Sequence, residues 1–409
     1  MAKTIVSLFS GCGGLDVGFR DVGFDIVWAN DFSRDAVTTY QKNIGNHIVL
    51  GDITKIDSKD IPSDFDVLTG GFPCQGFSIA NSKRNMGDQR NFLYLQLLRI
   101  LKDKQPKVFV AENVKGILSM DNGKVFQMIL DDFKSIGYKV DYKVLNASHY
   151  GVPQNRERVI IIGNRIGIDN LFPKETHTRN PIDSVSIETK NSSLLKSVTV
   201  EEAISFLSSV RTRDESFELD GQLIHNHVAR LNVSNQFWAR KFKVDQHIIC
   251  DYLRVWRAKK NISTKKIDQL LGYKHTAPHW FRKDGYGSLP TSSDWIALKN
   301  ILEFDETYDE QLLTFEERKI TFDQSLRISN WNEPSDTLTA SGPEIHPNKT
   351  RRLSVRECAI LQSFPMDFTF TGSLSSMYSQ IGNAVPCLLA NHIAQSIQNM
   401  LDGHIAQNY

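Results

Sequence analysis

The 409-residue chain lacks the features that mark several protein classes. Its five cysteines, Cys12, Cys74, Cys250, Cys358 and Cys387, are odd in number and scattered, and no two stand as a CxxC pair. That excludes a disulfide framework and a cysteine zinc site as organising principles; no metal is expected, and a reducing compartment is. No apolar run approaches 18 residues, and the run 5–9 behind Lys3 is too short for a signal sequence, so a soluble intracellular protein is expected. Neither sign of charge is in excess, with 48 Lys+Arg against 47 Asp+Glu and a net charge of +1. Apolar residues make up 40% and charged residues 23%, which excludes a disordered or fibrous chain and suggests one large domain plus a smaller one.

The near-zero total conceals an asymmetry. Between Arg230 and Lys283 stand 13 Lys+Arg and 3 Asp+Glu, a balance of +10 that leaves −9 for the rest of the chain. Four of the six tryptophans, Trp238, Trp256, Trp280 and Trp295, lie in or just beyond this stretch. A basic, tryptophan-rich segment in an otherwise acidic chain points to an acidic polymer as partner.

The first 165 residues alternate strand-like apolar runs (4–9, 25–30, 47–50, 65–69, 108–112, 139–145 and 159–163) with amphipathic patterns such as 33–43, 92–102 and 124–136. This alternation predicts an α/β fold, a doubly wound, mostly parallel sheet of Rossmann-like type covered on both faces. Right-handed crossovers place its functional rim at the carboxyl ends of the strands. From 173 to about 197 the pattern fades into Thr, Ser, Asn and Pro. Inside the basic stretch, 248–259 and 263–271 read as helices, followed by Gly272 and a short segment at 278–282. That order suits a helix-turn-helix reader or a plain α-hairpin. Helical patterns return at 354–364 and 384–401, and the chain divides into 1–180, 181–331 and 332–409.

Reactive residues collect at the strand ends. Phe9-Ser-Gly-Cys-Gly-Gly14 forms a tight turn between strand and helix, where glycines allow close backbone approach to a ligand. The run does not complete GxGxxG, because Asp16 takes the last glycine position, so a nucleoside-bearing cofactor smaller than a dinucleotide is favoured. Asp31, ending the second strand, can accept ribose hydroxyls, and Asp52 can reach an adenine amino group. Gly70-Gly-Phe-Pro-Cys-Gln-Gly-Phe-Ser78 follows the fourth strand and carries a nucleophile candidate, Cys74. Glu112 closes the fifth strand beside it, where burial can keep a carboxylic acid protonated for donation to a ring nitrogen. Gln154-Asn-Arg-Glu-Arg158 precedes the seventh strand, and Arg156 and Arg158 alternate to one side of an extended chain, so both can point into one cleft. Taken singly, each has a structural reading: a glycine turn, a buried thiol, a capping glutamate, an ion pair.

The C-terminal part adds Arg351-Arg-Leu-Ser-Val-Arg-Glu-Cys-Ala-Ile-Leu-Gln-Ser-Phe-Pro365 and Gln380-Ile-Gly-Asn-Ala-Val-Pro386. These six motifs, in this order, resemble the DNA cytosine-5 methyltransferase family of the bacterial and phage restriction-modification type, across roughly residues 3–175 and 325–400. The resemblance implies S-adenosyl-L-methionine as methyl donor, S-adenosyl-L-homocysteine as its product, and a cytosine flipped out of duplex DNA as acceptor. It implies cofactor contacts from Phe9, Gly11, Gly13, Gly14, Asp31, Phe32, Asp52, Ile53, Asn383 and Ala384. Cys74 would be the nucleophile, with Glu112, Arg156 and Arg158 holding the cytosine. Gln75, Ser78, Arg90 and the loop through Asn91 would close over the DNA. Residues 1–180 and 332–409 would form the catalytic domain and 181–331 the target-recognition domain, with Arg254, Arg257, Lys274, His275, Arg282 and Lys283 as candidate base readers. The resemblance further implies a cytoplasmic, nucleoid-associated bacterial protein, monomeric, working beside a cognate restriction endonuclease and no membrane.

Three positions depart from the family pattern. Ser7 stands where an acidic residue often precedes the glycine loop, Asp31 replaces a frequent Glu, and Asn91 a frequent Gly. Two other readings stay open: a carbon-5 methyltransferase of transfer RNA, and a catalytically inactive DNA-binding regulator. The long basic insertion favours duplex DNA over the first, and Cys74, Glu112, Arg156 and Arg158 together argue against the second. An amino-group methyltransferase is disfavoured because the chain has no Pro-Pro pair. His225-Asn-His227 spells the HNH nuclease triplet, but the ββα metal frame such a nuclease needs is not traceable around it.

Overall fold

In the computed structural model, which describes residues 2–73, 93–179, 194–230, 246–272, 292–309 and 327–407, the N-terminal alternation becomes one seven-stranded sheet. Strands β1 (Thr4–Leu8), β2 (Asp25–Asp31), β3 (Ile48–Leu50), β4 (Val67–Gly70) and β5 (Val108–Val114) are parallel, in the order β3-β2-β1-β4-β5. β6 (Lys139–Asn146) lies at the far edge, and β7 (Glu157–Asn164) inserts antiparallel between β5 and β6. The doubly wound, mostly parallel architecture is thus present, with one reversed strand.

Period-two burial fixes the two faces. Ile5, Val108, Val110, Ile160 and Ile162 face a core shared with helices α1 (Gly14–Asp21), α2 (Arg34–Asn43) and the C-terminal helix Cys387–Gln407. Their neighbours Val6, Phe109, Ala111, Val159 and Ile161 face the opposite core, closed by α3 (Leu93–Lys104) and α4 (Lys124–Ser135). Because side chains alternate, these near-continuous apolar strands need cover on both sides, as a parallel sheet requires.

Two elements differ from the sequence reading. The pattern at 384–401 becomes the helix Cys387–Gln407, starting after Pro386, with Ala384 extended at ψ 150°. A helix at Leu374–Asn383 precedes it, started by Ser373 Oγ accepting the Ser376 N–H at 3.2 Å. Met377, Tyr378 and Ile381 form its buried face. Among the described residues no helix is long and apolar enough to cross a membrane.

The chain forms two units, one of Met1–Val228, Trp331–Ala340 and Val355–Tyr409, the other of Ala229–Asn330 and Ser341–Ser354. The sequence reading divides it at 181; in the structure the first unit runs on to Val228, since the Val200 N–H bonds Glu333 O at 2.9 Å and Val355 N–H bonds Val228 O at 2.9 Å. The HNH triplet is built into this packing. Asn226 donates to Phe370 O at 3.1 Å and accepts the Phe370 N–H at 2.8 Å, while His227 Nε2 donates to Val210 O at 3.2 Å.

In the second unit, helices Gln246–Lys259 and Thr264–Leu271 are joined by a short turn, and Ser263 Oγ caps the second through the Lys266 N–H. Gly272, at φ 77°, ends it. A third helix, Ser292–Leu302, supplies Trp295, Leu298 and Leu302 to a core with Ile267 and Phe304. Arg254 is exposed and Arg257 half-buried, one turn apart; burial, then the charge of Arg254, holds the Arg257 guanidinium below its ordinary value. Lys274, His275, Arg282, Lys283 and the 278–282 segment lie outside the described residues.

Gly18 sets the contact between α1 and the C-terminal helix: a Cβ there would lie 2.4 Å from Ala390 Cβ, 2.5 Å from Asn391 N and 2.6 Å from Cys387 O. Alanine is intrinsically the better helix former by about 1 kcal/mol, so the sign of Gly18→Ala reports packing rather than propensity. We expect a net loss of about 2 kcal/mol in urea unfolding; a stabilised variant would contradict the close approach.

Candidate active site

The carboxyl ends of β1, β2, β4 and β5 form one rim, and the glycine loop sits on it. Phe9 (φ 54°), Gly11 (φ 56°) and Gly13 (φ 95°) turn the chain through left-handed conformations between β1 and α1. Ser10 N–H to Asn30 O (3.0 Å) and Gly13 N–H to Ser10 O (2.9 Å) hold the turn. Asp31 braces it, its Oδ2 accepting the Gly11 N–H at 2.9 Å and Oδ1 the Ser33 N–H at 2.8 Å. Burial raises the Asp31 carboxyl above its ordinary value, against the pull of backbone donors at Ser33, Gly11 and Phe32. Each oxygen keeps acceptor capacity for a hydroxyl.

Beside it, the Phe32 side chain is 77% exposed, and a Cβ on Gly11 would meet nothing within 4 Å. An exposed phenyl ring, an open glycine and a carboxylate fit a nucleoside, one by stacking, one by close approach, one by accepting hydroxyls. Asp52 follows β3 but binds locally: Oδ1 accepts the Thr54 N–H at 3.0 Å and the Thr54 hydroxyl at 2.8 Å, and the Thr54 N–H holds the carboxyl below its ordinary value. Ile53 is buried. Asn383 is exposed at the end of its helix, and the Asn383 amide lies 3.5 Å from Ser379 Oγ.

Under the loop lies a buried acid to which the sequence reading gave no role. Asp16 accepts the Ser7 hydroxyl at 2.7 Å and the Tyr40 hydroxyl at 2.8 Å. Burial pushes its carboxyl up to about 6, against the pull of those hydroxyls.

The reactive end of the rim is built around β5. Asn113 donates to Phe72 O at 3.0 Å, tying the end of β5 to the segment that leads into Cys74. Glu112 Oε2 would stand 3.1 Å from a Cβ on Gly71, so that segment passes directly beside the carboxylate. Arg158 Nε lies 2.7 Å from Glu112 Oε1, with both side chains about nine-tenths buried, while Arg158 Nη1 donates to Glu157 O at 2.7 Å. No hydrogen bond aligns that Nε, so the contact is an ion pair rather than a directed bond. An open pocket of about 550 Å³ begins at Arg158 and is lined also by Lys115, Asn146, Asn155, Glu157, Arg179 and Thr337. Its walls are polar. Cys74, Gln75, Ser78, Arg90 and Asn91 lie outside the described residues.

Arg156 goes elsewhere than Arg158. Only 1% exposed, it donates from Nη1 to Leu338 O (2.9 Å) and from Nη2 to Gly382 O (2.7 Å) and Ala384 O (3.0 Å). The sequence reading points both arginines into one cleft; in the structure Arg156 instead clamps the C-terminal segment. Burial, then the charge of Arg158, lowers its guanidinium pKa well below the ordinary value. Gln154 joins the clamp, donating to Gln362 Oε1 at 2.5 Å and accepting the Leu338 N–H at 3.1 Å. Gln362 in turn donates to Ala384 O at 2.6 Å. Gly14 closes the circuit, since a Cβ there would lie 2.4 Å from Val385 O and 3.0 Å from Ala384 Cβ.

A family model for C-5 cytosine-specific DNA methylases matches residues 3–399. The chain is 34% identical over 401 residues to the type II methyltransferase M.NgoFVII of Neisseria gonorrhoeae, covering 96% of this chain and 86% of that protein. It is 30% identical over 420 residues to M.FnuDI of Fusobacterium nucleatum, covering 97% and 94%. Among solved structures, the methyltransferase EhMeth of Entamoeba histolytica superposes with a TM-score of 0.55 at 14% identity, covering 98% of this chain and 99% of that one, a likeness of fold.

The clamp predicts a structural rather than a chemical deficit when it is cut. Arg156→Ala leaves the Leu338 and Gly382 carbonyls buried without this donor and should cost about 3 kcal/mol in urea unfolding. A cost below about 0.5 kcal/mol, the range of ordinary surface changes, would show the clamp to be idle.

Proposed function

The chain belongs to the C-5 cytosine-specific DNA methylase family, and from that premise we propose that it methylates carbon 5 of a flipped-out cytosine in one duplex sequence through a covalent Cys74 adduct. It is a DNA cytosine-5 methyltransferase of the restriction-modification type. Methyl transfer calls for S-adenosyl-L-methionine, which when bound supplies an electrophilic methyl group on a sulfonium. Phe32, Gly11, Asp31 and the loop 9–14 are the residues that would hold it.

Carbon 5 of cytosine is a weak nucleophile, and the residues at the reactive end of the rim answer that difficulty in turn. The Cys74 thiolate adds to carbon 6, and the ring's electron pair moves toward nitrogen 3. Glu112, having taken up a proton from solvent as the base enters, gives it to nitrogen 3, which absorbs the developing charge and leaves an enamine whose carbon 5 is nucleophilic, while Arg158 pairs with the carboxylate so formed. Arg158 holds Glu112 in place and presents its fork to the ring oxygen. After transfer, a base takes the carbon 5 proton, the carbon–sulfur bond breaks, and the thiolate is released. Arg156 supports the reaction from behind, by fixing the segment that carries Asn383 and Ala384.

The observation that carries this reading is the Glu112–Arg158 pair, 2.7 Å apart at the end of β5, beside the Gly71–Phe72 approach to Cys74. The pocket that Arg158 lines is polar, in keeping with a hydrogen-bonding ligand. The second unit, with Arg254 and Arg257 on one helix, is the DNA-reading part, and sequence-selective methylation beside a cognate endonuclease is its use. The chain works as a monomer.

Cys74→Ala should lower methyl transfer to duplex DNA by more than about 10³-fold while binding of S-adenosyl-L-methionine persists. Tritium transfer from the labelled donor, with duplex DNA and transfer RNA as separate acceptors, reads both points. Turnover by the variant would overturn the covalent mechanism, and labelling of transfer RNA alone would overturn the choice of acceptor.

A further inference from the structure

Asp16 is a carboxylate in a place that does not require one. It sits in the first turn of α1 with 1% of its surface exposed, among the described residues no salt bridge reaches it, and the proposed chemistry does not touch it. Burying a carboxylate is costly unless it is well bonded, and an apolar side chain would fill a helix–sheet interface more readily. Its bonds show what it holds. The carboxylate can only accept, so the Ser7 hydroxyl must point its proton at Asp16 Oδ1, 2.7 Å away. The lone pairs of Ser7 Oγ then face the other way, toward Ser10, whose hydroxyl lies 3.0 Å from Ser7 Oγ and 3.1 Å from Ser7 O. On the other side Tyr40 gives its proton to Asp16 Oδ2 at 2.8 Å and stands 3.0 Å from His47 Nε2, which fixes α2 against the same carboxylate.

Ser10 is the residue between the two left-handed positions Phe9 and Gly11. For a phenylalanine that conformation is strained and persists only where the surroundings enforce it. We propose that Asp16 is a positioning residue for the methyl donor: through Ser7 and Ser10 it holds the Phe9-Ser10-Gly11 turn in the shape that admits S-adenosyl-L-methionine. Ser7 stands in β1, just ahead of the loop. Here the acid comes from the helix and acts on the loop through that serine. The inference rests on the reading of this loop as the donor site.

The test uses the full chain, with calorimetric affinity for S-adenosyl-L-methionine and steady-state methylation of duplex DNA. Asp16→Ala should raise both Kd and KM for the donor about tenfold, the equivalent of one buried hydrogen bond to a charged group, with kcat changed by no more than about twofold. Asp16→Asn keeps an amide oxygen for the Ser7 hydroxyl and should recover part of the loss, to within about threefold of the native affinity. Ser7→Ala cuts the same path and should match Asp16→Ala, and the double variant should be no worse than either single one. Donor affinity within about twofold of native in Asp16→Ala, an asparagine variant no better than alanine, or a fall confined to kcat would each overturn the proposal. If Asp16→Ala does not fold, Ser7→Ala decides by the same limits. A native protein that binds no donor would refute the reading of the loop itself; a native protein that binds while the variants bind equally well would refute only the role of Asp16.

Discussion

A guanidinium buried to 1% exposure has to find acceptors, and the acceptors of Arg156 decide how the first unit closes. Its fork reaches Leu338, Gly382 and Ala384, carbonyls 182, 226 and 228 positions away in sequence. Ala384 O also takes Gln362, Gln154 bridges Leu338 and Gln362, and Gly14 packs against Val385 O. Four of the motifs that run in order along the chain touch at this knot.

The knot also explains how two arginines two residues apart divide their work. Arg156 precedes β7 and turns inward, where its planar fork matches converging carbonyls; Arg158, inside β7, meets Glu112 across the β5–β7 ladder. One arginine makes the frame and the other faces the pocket. A lysine could not replace the first, since a single ammonium cannot present two parallel edges to three carbonyls. The electrostatics of the rim follow the same economy. Glu112 carries its own counter-ion, while Asp16 and Asp31 are held by hydroxyls and backbone N–H groups, so each of these carboxylates has its donors. The chain's basic excess is placed instead in the segment 230–283.

Much of this was legible in sequence because the physics is local. Alternating apolar residues in β1, β5 and β7 had to be buried on two faces, and the strands fall where the alternation does. Residues at the strand ends, Glu112, Asp31 and the glycine loop among them, reach the rim because a parallel sheet leaves them nowhere else. Less legible was everything that depends on distant partners. Alternation places Arg156 and Arg158 on one side of an extended chain, but only the carbonyls of 338, 382 and 384 turn the first inward. Asp16 read as a missing glycine because its partners, Ser7 and Tyr40, lie on other elements. Asp52 Oδ1 takes the Thr54 N–H and hydroxyl, a local turn that no strand-end pattern announces. The helix Leu374–Asn383 has no place in the sequence reading, although Met377, Tyr378 and Ile381 form its buried face.

The central claim is that this rim adds a methyl group to carbon 5 of cytosine at a defined DNA sequence. Bisulfite sequencing of plasmid DNA from a bacterial host expressing the chain tests it most directly, since it reads the base, the position and the context together. Protection of cytosines confined to one short sequence context, absent from the same plasmid in the parent host, is the expected result. Conversion of every cytosine in DNA from a host making folded protein would contradict the claim.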